Sequence, residues 1–179
     1  IRADLTVTRL APHDGLVVVS DTAHGSALGQ LRRAVGDADV TVEDVTTDHG
    51  LLTVQGPASR ATLAAAAPET DWSTEAFPFR AARRVEIAGV DVLAIRITYL
   101  GELGWELYAP AAQTARVWDA VLAAGAAHGI RPVGLCALSS LRMEKGYRDF
   151  GHDIDNTDDV YGVGPGFAVA LDQPGGFVG

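Results

Sequence analysis

The sequence predicts an α+β fold in which antiparallel sheets carry helices packed on one face. Three observations predict it. Short stretches of period-two alternation come in pairs around turn-forming clusters, as β-hairpins do. Other stretches place apolar residues at helical spacing and are closed by glycine. The order through the first 67 residues is strand, strand, helix, strand, strand, helix, which gives a sheet with helices on one face.

Each element has a local reason. Leu5 to Leu10 and Gly15 to Ser20 are β-rich and flank Ala11-Pro12-His13-Asp14, a turn cluster, so they form a hairpin. Ser26 to Val35 sets Leu28, Leu31 and Val35 on one helical stripe, stopped by Gly36. Val40 to Val45 and Leu51 to Gln55 read as a second strand pair around Asp48-His49-Gly50. Gly56-Pro57 opens a helix that Ala58 to Ala67 continues, with proline in the first turn. Residues 67–78 are less regular, and Trp72, Phe77 and Phe79 pack them down. Arg83 to Ala88 is a strand and Gly89 a turn. A helix follows Pro110, with Val117, Trp118, Val121 and Leu122 as its core stripe, closed by His128-Gly129. A last helix runs from about Leu135 to Lys145, with Leu135, Leu138 and Leu141 on one side and Gly146 at its end. The final thirty residues are glycine-rich, up to Gly179. Their Gly162-Val163-Gly164-Pro165-Gly166 lacks the spacing and the strand–helix bracket of a dinucleotide loop.

The chemistry centres on residues 92–108. Val92 to Tyr99 alternates, with Leu93, Ile95, Ile97 and Tyr99 pointing one way. Trp105 and Leu107 then alternate with Glu106 and Tyr108, and Gly101 and Gly104 permit a reversal between the two strands. The hairpin carries one phenol, Tyr99, and two carboxylates, Glu102 and Glu106. A surface hairpin with solvated acids would look the same. Asp4, at the start of the first strand, can project into a cleft or sit solvated at a strand end. Arg142 and Arg148 flank Lys145, a pattern that is usually a solvated face. No G-x-S-x-G, cysteine–histidine dyad or phosphate loop is present.

Composition excludes several classes. With 179 residues, 47% hydrophobic and 21% charged, the chain can bury a sizeable core. A net charge of -9 and a pI near 4.8 argue against nucleic-acid binding. No apolar run approaches the roughly 20 residues that span a bilayer, so no membrane partner is expected. The single Cys136 forms no internal disulfide and points to a reducing, cytoplasmic setting. Histidines 13, 24, 49, 128 and 152 are scattered, so no metal site is expected. The chain begins at Ile1 directly before a strand and stops at Phe177-Val178-Gly179, which reads as a segment of a longer protein.

Four stretches carry a family resemblance. They are Asp4-Leu5-Thr6-Val7-Thr8-Arg9-Leu10, Leu52-Thr53-Val54-Gln55-Gly56-Pro57-Ala58-Ser59, Tyr99 to Tyr108, and Leu141-Arg142-Met143-Glu144-Lys145-Gly146-Tyr147-Arg148. In this order and spacing the chain resembles the folate-binding aminomethyltransferase family, typified by the glycine cleavage T-protein. Its version of the last stretch is most similar to the C-terminal parts of dimethylglycine and sarcosine dehydrogenases. The resemblance implies a partial T-protein-like fold over residues 1–179, with a first half of about 1–80 and a second half of about 81–179 that holds the hairpin. It implies a tetrahydrofolate cleft, with Asp4 as the catalytic carboxylate that handles the N10 proton. Tyr99 and Glu106 would contact the folate, Glu106 by accepting pterin N–H groups. Arg142 is the nearest substitute for an arginine on the folate glutamate tail. The product would be 5,10-methylenetetrahydrofolate. The one-carbon partner would be a methylamine-derived iminium from a flavin oxidoreductase domain, or an aminomethyl-lipoyl carrier. FAD would lie only in a domain outside this segment.

The departures from the pattern define the rivals. Ala137-Leu138-Ser139 stands where the T-protein branch has Ala-Arg-Asp, and Asp159 to Pro165 loses the family's acid near the end. One rival is the folate-binding branch that supports iron–sulfur cluster assembly. Its Lys-Gly-Cys-Tyr motif is not matched by Leu135-Cys136-Ala137. The other is a degenerate structural domain that keeps the fold without the ligand.

Overall fold

A computed structural model describes residues 1–176. The end at Phe177-Val178-Gly179, including Gly179 of the glycine-rich stretch, lies outside the described residues. The chain divides into two compact units, one of residues 1–42 and 148–179, the other of residues 43–147.

In the first unit, β1 (Leu5–Ala11) and β2 (Asp14–Val19) pair antiparallel as a two-stranded sheet, with an irregularity at Arg9/Ala11. The expected hairpin forms. The register Leu5↔Val19 and Val7↔Val17 puts four aliphatic residues on one face, where Val7 stays 68% exposed. α1 (His24–Val35) ends at Gly36, whose φ of +51° suits glycine. Ala27 is the residue it buries. The later part of the unit is held by aspartates that accept backbone N–H groups near in sequence. Asp153 accepts from Asp149, Asp155 from Thr157, and Asp159 from Tyr161 and Gly162.

The second unit is built on a four-stranded antiparallel sheet ordered β3-β6-β5-β4. Its strands are β3 (His49–Gln55), β4 (Ala82–Ile87), β5 (Val90–Ile95) and β6 (Gly104–Pro110). Pairings Val54↔Trp105, Leu52↔Leu107, Ala94↔Leu107 and Val85↔Val92 fix one face as the core. α2 (Ser59–Ala66) and α3 (Thr114–Gly125) pack together and against β6, α3 also against β3. Leu63 of α2 and Val117 and Val121 of α3 join the core. Trp72 stacks on Phe77 at 5.5 Å, and both meet Trp105 edge-on at 5.4 and 6.0 Å. β4 and β5 are joined by Ala88-Gly89, both at positive φ, the conformation that two-residue hairpin loops prefer. α4 (Leu135–Glu144) completes the unit.

Several expectations are corrected. Residues 40–45 form no strand; Val40 is 58% exposed, and Asp44 bonds the backbone N–H and hydroxyl of Thr46 in a local turn. β3 therefore takes β6 as its partner, a neighbour far along the chain. β5 ends at Ile95, so residues 96–103 form a broad connection, not a tight reversal, and Tyr99 lies in that connection. Trp118 is 41% exposed because the buried stripe of α3 runs Val117, Val121, Gly125 at four-residue steps. Phe79 is 56% exposed while Trp72 and Phe77 are buried. Leu135 is 81% exposed, so the leucines of α4 do not form a continuous core stripe.

Candidate functional site

The side of the second unit's sheet opposite the aromatic core holds the candidate site. Because side chains alternate along a strand, Gly104, Glu106 and Tyr108 share that face while Trp105, Leu107 and Ala109 fill the core. Cross-strand pairing sets Glu106 beside Thr53 on β3 and Ile95 on β5, and Tyr108 beside Leu51 and Leu93. Ile95 and Leu93 are buried, so the acid stands half-buried among apolar neighbours.

That position pushes the Glu106 carboxyl above its ordinary range, chiefly by desolvation. One contact works the other way: the Tyr108 hydroxyl donates to Glu106 Oε2 at 2.5 Å and favours the anion. Tyr108 is in turn held firmly protonated, first by burial and then by the adjacent carboxylate. The pair is therefore a fixed donor on an acceptor that retains a second oxygen.

Gln55 lies on the same face, opposite Gly104. Its amide nitrogen donates at 3.4 Å to the carbonyl of Ile97, so β3 reaches into the 96–103 connection. The other amide atom, Oε1, is buried without a hydrogen-bond partner. A side chain on Gly104 would overlap that amide, which explains glycine there.

Tyr99 sits in this connection with its ring 6.5 Å from the ring of Tyr147, tilted by 33°. Gly101, at φ +71°, lies so close to Lys145 that a Cβ would overlap the lysine stem. Arg142 does not lie on a solvated face as its spacing suggests: it is 1% exposed and donates to the carbonyl of Tyr147 at 2.8 Å. The structure thus gathers Tyr99 and Arg142 around Tyr147, at the end of α4.

Asp4 belongs to the first unit and precedes β1. Its carboxyl lies above the ordinary range through partial desolvation and then through the like charge of Asp149. Sequence reasoning missed Tyr108, Gln55 and Tyr147 as members of the site. For Tyr108 the signal was present, since it stands two residues after Glu106 on an alternating strand. For Gln55 no local signal exists, because its role comes from pairing with Gly104.

Comparison with known proteins decides the family. The model of the GCVT N-terminal domain matches residues 1–173. The chain belongs to that family. It is 40% identical over its full length to a 4-methylaminobutanoate oxidase (formaldehyde-forming) of Paenarthrobacter nicotinovorans, of which it spans 22%. It is 37% identical over 99% of its length to human mitochondrial sarcosine dehydrogenase, spanning 21% of that protein. It is 36% identical over 98% of its length to the aminomethyltransferase of Saccharopolyspora erythraea, spanning 47%. The chain thus spans between about a fifth and a half of these relatives. A heterotetrameric sarcosine oxidase from Corynebacterium sp. U-96, solved with pyrrole 2-carboxylate, shares the fold. There the TM-score is 0.58 at 22% identity, over 74% of this chain and 65% of that one. Both the α+β class and the resemblance to T-protein-like domains hold. Among the described residues no helix is long and apolar enough to cross a membrane.

Proposed function

We propose that the chain is the one-carbon transfer domain of a larger protein, and that it binds tetrahydrofolate and serves formation of 5,10-methylenetetrahydrofolate. The observation that carries this reading is the half-buried Glu106 carboxylate, with one oxygen held by Tyr108 and the other left to accept. A pterin presents amino and ring N–H donors side by side, and an anionic acceptor in a desolvated setting matches them. The folate supplies the nucleophilic nitrogens that take up the one-carbon unit.

The chain's own residues have distinct tasks in this reading. Glu106 orients the ring system, and Tyr99 and Tyr147 offer aromatic surface beside it. Asp4, whose raised carboxyl takes a proton more readily than an ordinary aspartate, accepts the proton that leaves the folate nitrogen. Arg142, buried, steadies the end of α4 through its bond to the Tyr147 carbonyl. The donor is an iminium made by a flavin oxidoreductase domain elsewhere in the protein, with its own FAD, or an aminomethyl-lipoyl carrier. The similarity to the formaldehyde-forming oxidase of Paenarthrobacter favours the first, because formaldehyde and a methylene group stand at the same oxidation level. A cytoplasmic or otherwise reducing setting agrees with the free, exposed Cys136.

The test is calorimetric titration of the full-length protein with tetrahydrofolate. We expect saturable binding at about micromolar affinity, roughly -8 kcal/mol, and at least a tenfold loss on Glu106→Gln. Absence of binding by the full-length protein would overturn the reading and leave a structural domain.

A further inference from the structure

The bond between Tyr108 and Glu106 joins residues two apart on β6, which a pleated strand turns to the same side. Its length of 2.5 Å is that of a charge-assisted O–H···O contact. The phenol is not a casual neighbour. Tyr108 is 7% exposed and paired with Leu51 and Leu93 on the flanking strands, and this burial restrains the ring. Glu106 by contrast is only partly buried and keeps some solvent contact, with uncharged Thr53 and Ile95 on either side.

We propose that Tyr108 is a positioning residue for Glu106: its hydroxyl holds Oε2 and fixes the carboxylate plane, which leaves Oε1 as the oxygen that accepts an N–H from the bound ligand. The assignment of that ligand as a folate rests on the function proposed above. The device separates two demands on one side chain. A carboxylate in an apolar setting tends to take a proton or to turn toward water. A phenol locked beside it opposes both, without adding a countercharge that would compete with the ligand's own donors.

Other groups define the electrostatic background. On this face of the sheet the charged or titratable residues are His49 on β3, Arg84 and Glu86 on β4 and Asp91 on β5, with Arg84 paired to Asp91 at 3.4 Å. Tyr99 and Glu102 lie in the connection that leads into β6, and Arg142 and Lys145 lie at the end of α4. Burial and the Tyr108 hydroxyl are the causes that move the Glu106 carboxyl.

The experiment measures tetrahydrofolate affinity of the full-length protein between about pH 5 and 8.5. It compares the parent, Tyr108→Phe, Glu106→Gln and the double variant. Phenylalanine keeps the ring and its packing, and a melting curve checks the fold. At neutral pH we expect Tyr108→Phe to weaken binding about tenfold, the scale of one lost hydrogen bond to a charged group. The fall in affinity on the acid side should begin at higher pH, because the carboxylate loses the donor that favours its anion. In the Glu106→Gln background the same substitution should change affinity less than twofold. Glu106→Asp, which draws the carboxylate back from an untouched phenol, should move the acid side in the same direction. A Tyr108→Phe protein with the parental affinity and pH profile would overturn the positioning role while leaving folate binding intact. An equal loss in both backgrounds would overturn it too, since the tyrosine would then act through general packing. A parent protein that binds no folate would remove the functional reading, and this inference with it.

Discussion

The two units of the chain solve the same problem with different means. In residues 43–147 a four-stranded sheet closes over an aromatic cluster in which Trp105, Phe77, Leu63 and Val117 have essentially no exposed surface. In residues 1–42 and 148–176 a two-stranded ribbon leaves Leu5, Val7 and Val17 open, one helix buries Ala27, and aspartate turns organise the rest. Burial stabilises in proportion to the apolar area removed from water, whereas turn hydrogen bonds net only about 0.5–1.5 kcal/mol each. The second unit therefore holds most of the stability visible in the chain. It also carries Glu106, the more deeply desolvated of the two acids whose carboxyls are raised.

The sharpest way to break this contrast is to truncate one residue in each unit. Trp105→Ala removes a fully buried ring contacted by Trp72 and Phe77 and flanked by the guanidinium groups of Arg60 and Arg96 at 5.8 and 5.6 Å. It should cost about 3–5 kcal/mol in chemical denaturation. Val7→Ala in the ribbon should stay within about 0.5 kcal/mol. Comparable losses at both positions would mean that the ribbon face is covered in solution and that the contrast is false.

A smaller effect tests how the site is tied to the core. Gly104→Ala would push on the Gln55 amide, a flexible end and not a backbone wall, so the fold should survive. The displaced amide would lose its long bond to the Ile97 carbonyl, at a cost of about 1 kcal/mol. The measurable sign is faster amide exchange in residues 96–103 with unchanged exchange in β4 and β5. Uniform acceleration throughout the unit would show that Gln55 supports the sheet as a whole.

What the sequence disclosed follows the range of the forces involved. The β1–β2 hairpin, α1, α2 and the β4–β5 hairpin were legible because alternation, glycine stops and turn residues are local signals. The pairing of β3 with β6 was not, since both 40–45 and 104–110 offer alternation and only burial chooses between them. Trp118 looked like core because a stripe of width 100° admits it; the fold then used Val117, Val121 and Gly125 instead. Glu106 was legible as a candidate, and the Tyr108 hydroxyl beside it followed from the same alternation once the strand was fixed. Gln55 and Tyr147 depend on contacts made across the fold, which no spacing in the chain announces.

The smallest effect expected is also the most specific to the site. Burial raises the Glu106 carboxyl above its unfolded value, so the folded state binds a proton there more tightly than the unfolded chain does. The sign follows directly: this group adds nothing adverse below the ordinary carboxylate range, where both states are protonated. As pH rises from that range through the raised folded value, its ionisation opposes folding, and the cost is fully present at neutral pH. Glu106→Gln removes the charge and keeps an oxygen to accept from Tyr108. The variant should therefore melt slightly above the parent at pH 7.5, and the gap should close as pH falls through the carboxylate range. A gap that stays constant with pH would show that packing and not desolvation of the charge separates the two proteins. A parent that melts higher at pH 7.5 would mean that the Tyr108 bond outweighs burial, and that the acid is held in its anionic form more strongly than its apolar surroundings imply.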